Sequence, residues 1–397
     1  MIKYLGSKRT LVPLISSVAA RLPVQTACDL FAGTTRVGQA LRKLGLEVHS
    51  NDAATYSEAF GHAYVAADER LDRARLAAIL SELAALPGRE GYFTETFCRE
   101  SRYLQPQNGA RVDAIRDAVE EHELSALERG VVLTSLIEAA DRVDSTTGLQ
   151  MAYLKSWAPR SFNDLELRLP EAVQGPAGVV SRLDASALAP SLDVDLVYLD
   201  PPYNQHSFFS NYHVWETLVR WDAPESYGVA RKRIDCRERH STFNSKREAP
   251  AAFAALIASL RVPWVLVSVS DEGFHDAGEL AALLGEFGYV GRIDVDSKRY
   301  VGAQIGIYNP SGEKVGTVSR LRNRETLLLA GPDRAVVSAL TGSAPAATGV
   351  PLVTRNAAVA QPASATGTNA ALGAPRAVAA TSAEPPSAAI HGPRPRR

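Results

Sequence analysis

The chain has 397 residues, 43 Lys+Arg against 44 Asp+Glu, and 46% hydrophobic residues, the composition of a globular protein of two or three domains. No apolar run approaches the ~18–20 residues that span a bilayer, and Met1 to Lys8 lacks the apolar stretch of a signal peptide. The three cysteines, Cys28, Cys98 and Cys236, are too scattered for a disulfide framework or a zinc cluster, so membrane, secreted and Cys-metal classes fall away and the cytoplasm is the expected compartment.

In chain order, short apolar or β-branched runs predict strands at 26–31, 46–51, 179–183, 194–199 and 264–268. Helical periodicity predicts helices at 36–44 and 250–260. Strands that alternate with helices indicate an α/β fold with a mostly parallel sheet covered on both faces. The interval between the second and third strands, about 125 residues, is too long for a crossover loop. Helical patterns at 71–85, 112–121 and 125–143 make 56–169 a mainly helical inserted domain, so that 1–55 and 170–331 form the catalytic domain. Late in the chain, 304–308 and 314–320 flank a turn and precede 325–329, a pattern of antiparallel strands at one sheet edge. From 332 to 397 the chain is rich in Ala and Pro, without an aromatic residue, and is expected to be a disordered tail.

The charge is uneven. Residues 231–247 read RKRIDCRERHSTFNSKR, seven basic side chains against two acidic ones. Phosphate binding needs only a local cluster, because exposed charges are screened beyond ~8–10 Å. That makes Arg231, Lys232, Arg233, Arg237, Arg239, Lys246 and Arg247 candidate nucleic-acid contacts; the other reading is a solvated loop with internal ion pairs. His206, His213 and His240 have no company at metal-ligand spacing, so no metal is expected, and they read as polar surface or DNA contacts.

Two stretches carry chemistry. The first strand runs into Asp29-Leu-Phe31-Ala-Gly33-Thr-Thr35, a glycine turn that lets backbone approach a ligand at a helix N-terminus. Asp52 follows Gly33 by 19 residues, at the end of the second strand, where nucleotide-type folds place an acceptor for ribose hydroxyls. The fourth strand delivers Asp200-Pro201-Pro202-Tyr203 to its C-terminal edge. A carboxylate, free backbone carbonyls and an aromatic ring together suit a planar amine: two acceptors and a face for stacking.

With Lys3-Tyr4-Leu-Gly-Ser-Lys8 before the glycine turn, Phe31-Ala-Gly33, Asp52 and Asp200-Pro-Pro-Tyr203 in this order, the chain resembles the Dam-type, alpha-group DNA adenine N6-methyltransferases over about 1–330. The resemblance implies a Rossmann-like methyltransferase sheet, S-adenosylmethionine as methyl donor, double-stranded DNA as partner, and target recognition by the inserted domain. It implies that Tyr4, Lys8, Phe31, Gly33, Asp52, Asp184 and Asp200 bind the cofactor. Asp200, Pro201, Pro202 and Tyr203 would hold a flipped-out adenine. A cognate restriction endonuclease is a partner that the resemblance allows and no residue identifies. A methyltransferase acting on an amino group of RNA, and a silent DNA-binding module of the same shape, are the alternatives. The insert contains no recognizable DNA-reading hairpin.

Overall fold

The computed structural model describes residues 2–4, 6, 8–154, 156–298, 307–308, 314–316, 322–342 and 346–347. Its strands are β1 Thr26–Asp29, β2 Glu47–Asn51, β3 Val179–Ser181, β4 Leu196–Leu199, β5 Ser226–Tyr227, β6 Lys232–Arg233, β7 Trp264–Ser270, β8 Tyr289–Lys298, β9 Ile307–Tyr308, β10 Lys314–Gly316, β11 Arg322–Gly331 and β12 Ala346–Ala347. Eight of them form one sheet in the order β12-β8-β11-β7-β4-β1-β2-β3. β1 pairs in parallel with β2 and β4, β2 with β3, and β4 with β7. This is a doubly wound order in which chain direction reverses beside β1, and ligands of such sheets bind at that reversal, outside the carboxyl ends of the strands.

All five predicted strands form. Antiparallel pairs do gather at one edge of the sheet, among β12, β8 and β11, with β11 lying inside that edge, antiparallel to both β7 and β8. Its Leu327, Leu328 and Leu329 are buried on both faces, which an edge position would not achieve. β8 was not predicted, although Arg292, Asp294 and Asp296 alternate with Ile293 and Val295, the pattern of a half-exposed strand. Among the described residues β9 and β10 pair only with each other. Most of 304–306 and 309–321 lies outside the described residues.

Helices Arg73–Ala85, Pro106–Val119 and Ala126–Arg142 occupy the long interval as expected. The last begins with a capping box in which Ser125 and Glu128 exchange hydrogen bonds. Among the described residues between Arg142 and β3, only the short turn Pro159–Phe162 is helical. The helices share one apolar cluster with Tyr212, Val214, Trp215 and Leu218, which follow the fourth strand. The helices of 56–169 and the segment after β4 are therefore packed through a common core. The chain is ordered past residue 332: helix Arg334–Thr341 buries Val337 and Leu340 against the sheet, with Asp333 capping its start, which corrects the disorder expected over that stretch. The remainder of that segment, apart from Ala346–Ala347, falls outside the described residues.

Candidate active site

The sheet reversal brings three carboxylates to neighbouring strand ends. Asp29 closes β1, fully buried, and its Oδ2 accepts from the Gly38 N–H at 3.0 Å. Burial pushes its pKa up to about 7, against the pull of the Gly38 donor and with further push from Asp200 and Asp52. The turn that follows needs a left-handed backbone at Gly33, with φ of 50°. There Asp52 reaches across from β2, accepting from the Gly33 N–H at 2.8 Å through Oδ2 and from the Ala54 N–H at 2.9 Å through Oδ1. Burial raises the Asp52 pKa and these donors oppose the rise.

Asn51, which sequence reasoning passed over, stitches the same edge together. Its amide donates to the Leu30 carbonyl at 3.2 Å and the Leu183 carbonyl at 3.1 Å, and its Oδ1 accepts from the Leu183 N–H at 3.1 Å. Three strand ends are thereby fixed by one buried side chain. The only hint in the sequence was a polar residue at the end of an apolar strand.

At the end of β4, Asp200 Oδ1 lies 2.9 Å from Lys8 Nζ and accepts from Ser268 Oγ at 3.1 Å. The Ser268 hydroxyl in turn pairs with Tyr198 OH at 2.8 Å. Burial raises the Asp200 pKa, and Lys8 and Ser268 offset part of that. For Lys8, burial alone would favour the neutral amine, but Asp200 chiefly holds its pKa well above the usual lysine value. Asp200 Oδ2 has no partner among the described residues. Lys8 Nζ also stands 5.4 Å from the Tyr203 ring centroid and 3.9 Å from Glu325 Oε2. The Phe274 N–H donates to the Tyr203 carbonyl at 2.7 Å, fixing the turn after the two prolines.

The N-terminal segment packs across this edge. Lys3 Nζ is 2.8 Å from Asp141 and 3.3 Å from Asp144, which anchors it to the helical region. Tyr4 stacks on Tyr212 and Phe208, at centroid distances of 4.4 and 5.4 Å, and its hydroxyl is 3.2 Å from that of Tyr56. Tyr56, Phe208 and Phe243, none of them expected at the site, line a cavity of about 420 Å³ with Tyr4, Lys8, Phe31, Gly33, Asp52, Asp184, Asp200 and Pro202. All seven residues expected at the cofactor therefore face one cavity. Pro201 and Tyr203 stand outside its lining. Asp184 is exposed and caps the short helix after β3 by accepting from the Ser186 N–H at 2.8 Å.

The basic run does not act as one patch. Arg233 is 1% exposed and clasped by Asp222, at 2.7 Å through both terminal nitrogens, and by Asp235, so its expected phosphate contact is ruled out by burial. Arg231 pairs with Glu100 at 3.0 Å, and Arg239 lies 4.6 Å from the Phe209 ring centroid and 3.5 Å from Glu216. Lys246 and Arg247 are exposed. His213 is likewise not a surface group: it is fully buried against Phe97 and Tyr103, and burial lowers its pKa to about 3.

A carboxylate held beside two prolines and an aromatic ring thus faces a cavity that it shares with a glycine turn and a second carboxylate from the end of β2. By comparison with known families, the chain belongs to the D12 class N6 adenine-specific DNA methyltransferase family, whose sequence model matches residues 4–251. Among curated relatives, the modification methylase StsI of Streptococcus sanguinis is 30% identical over 319 residues, covering 75% of this chain and 48% of that one. The type II methyltransferase M.NlaIII of Neisseria lactamica is 29% identical over 311 residues, covering 75% of this chain and 92% of its own. M.FokI of Planomicrobium okeanokoites is 30% identical over 307 residues, 72% of this chain and 47% of its own. The chain thus spans about half the length of StsI and M.FokI and most of M.NlaIII.

Proposed function

We propose that this chain is a site-specific modification methylase that moves a methyl group from S-adenosylmethionine to N6 of an adenine flipped out of duplex DNA. The observation that carries this reading is the division of labour on Asp200: Oδ1 is taken by Lys8 and Ser268, and Oδ2 is left to accept from an amine. The cavity suits the cofactor. Its volume falls in the range of small-molecule sites, Asp52 on its wall is an acceptor for a ribose diol, and Asp200 supplies negative charge for a cationic ligand.

S-adenosylmethionine supplies, when bound, an activated methyl on a positively charged sulfur, so the protein needs to provide position and charge rather than a covalent intermediate. The adenine N6 lone pair is delocalised into the ring. Asp200 Oδ2 accepts one N6–H and the Pro201 carbonyl the other, which draws the nitrogen toward a tetrahedral geometry. As N6 gains the methyl it becomes cationic, and Asp200 stabilises that charge before a proton leaves to solvent. A charge-assisted hydrogen bond of this kind contributes ~1.5–3 kcal/mol, one to two decades in rate. Flipping the base costs a few kcal/mol, and stacking on the half-buried Tyr203 ring returns ~1–3 kcal/mol. The helical region is the proposed target-recognition element, since it packs against the segment that follows Tyr203. Exposed Lys246 and Arg247 add phosphate contacts.

The test is transfer of label from S-adenosylmethionine to unmethylated duplex DNA and to unmodified RNA in parallel, with the product nucleosides identified. N6-methyladenine in DNA, reduced at least thirtyfold by Asp200→Ala (~2 kcal/mol), is the expected outcome. Label in RNA alone, or in neither polymer from folded protein, overturns the reading.

A further inference from the structure

A second cavity, of about 440 Å³, lies beside the first and shares Ser207 and His240 with it. We infer that it is a built subsite for one backbone phosphate of the DNA strand that carries the target adenine; this rests on the methylase reading above.

Three observations support it. The lining includes Lys232 and Arg237, two imidazoles (His206 and His240) and no carboxylate. Among the described residues neither Lys232 nor Arg237 has an acidic partner, whereas their neighbours Arg231, Arg233 and Arg239 are all engaged. Arg237 lies 4.2 Å from the Tyr227 ring centroid. Such a contact orients a guanidinium while leaving its N–H donors free. Lastly, Asn211 is 2% exposed and lines the cavity, yet its Nδ2 finds no acceptor. A buried donor without a partner costs about 1–3 kcal/mol, and an anion in the cavity would relieve it. Cations, an unsatisfied donor and no acid make a pocket for a compact anion rather than for a base.

Position selects the anion. The chain that passes from Tyr203 through Gln205 and Ser207 lines first this cavity and then the cofactor cavity. A nucleotide whose base reaches Asp200 has its own phosphates within a backbone repeat of that loop. The subsite would hold one of them and so fix the sugar while the base is out of the stack.

The experiment uses the full chain, the duplex on which wild-type methylation has been mapped, and versions of it with a single methylphosphonate linkage moved stepwise along the target strand. Lys232→Ala and Arg237→Ala are each expected to weaken duplex binding about tenfold and to reduce the salt slope by about one, with S-adenosylmethionine affinity and thermal midpoint retained. In wild type, one neutral linkage next to the target adenine should cause a similar loss, and that same linkage should cost the double variant nothing more. Equal sensitivity at every linkage would mean a diffuse field and overturn the subsite, as would variants that bind like wild type. Failure of wild type to methylate any DNA would instead overturn the methylase reading, and the subsite with it.

Discussion

At the ends of β1, β2 and β4, acidic side chains meet donors that the fold supplies: Gly38 N–H for Asp29, Gly33 and Ala54 N–H for Asp52, Lys8 and Ser268 for Asp200. In 231–247 basic side chains meet whatever acids lie nearby, and some meet none. The first region is built from position, since a strand end on a parallel sheet has one place to put its side chain. The second is built from pairing, and like residues at adjacent positions end in unlike roles. Lys232 lines a cavity that has no carboxylate in its wall, while Arg233 disappears into an ion-pair cluster.

The sharpest way to break this contrast is Arg233→Ala. Removing one member of a buried, bidentate pair costs ~3–5 kcal/mol where the partner is left uncompensated, and here Asp222 and Asp235 keep Arg220, 2.9 Å from each. Both acids keep some access to water, which puts the expected loss at the lower end, about 3 kcal/mol. Urea denaturation measures it. If Arg233 contacted DNA instead, the variant would keep its stability and lose affinity.

This contrast also marks what was legible in the sequence. Gly33, Asp52 and Asp200 were readable because each sits at the end of an apolar run, where period and turn chemistry locate it without knowledge of the rest of the chain. Their convergence with Tyr4, Lys8, Phe31 and Asp184 on one cavity followed from the resemblance. Asn51, Ser268 and Tyr56 were not readable: each acts through partners that are distant in sequence, such as Leu183 for Asn51 and Asp200 for Ser268. The fates of Arg231, Arg233 and Arg239 depend on Glu100, Asp222 and Glu216, and no property of the run itself distinguishes them. In the fold, antiparallel strands at one edge were legible, but the place of β11 inside that edge was not, because pairing order is a long-range property. Its three consecutive leucines were the local sign that both faces are covered.

A smaller effect tests the acidic side. In the folded protein burial holds the Asp29 pKa up at about 7, against an ordinary carboxyl value of 3.8. Between those values the unfolded chain has released the proton and the folded protein keeps it, so stability falls as pH rises from about 4 to 7. Asp200 and Asp52 are shifted in the same direction and share the trend. Asp29→Asn cannot ionise; its stability should decline less over that range, by about 2–4 kcal/mol relative to wild type. Parallel denaturation curves at pH 4.5 and 7.5 give the answer, and identical slopes for the two proteins would show that Asp29 is ionised in the folded state.

The smallest expected effect separates backbone from packing at the glycine turn. At Gly33 an added Cβ would stand 3.1 Å from the Tyr4 ring and adopt a φ of 50°. The left-handed backbone costs a non-glycine residue ~1–2 kcal/mol. The steric part adds to this only because Tyr4 cannot easily retreat: Tyr212 is stacked against it. Gly33→Ala should therefore destabilise the protein by about 2 kcal/mol and weaken S-adenosylmethionine binding. In a Tyr4→Ala background the steric part vanishes and about 1 kcal/mol of backbone cost remains, so the double-mutant cycle should show coupling of that order. Zero coupling would mean that the stack yields. The N-terminal segment would then be a loose cover over the cavity rather than part of its wall.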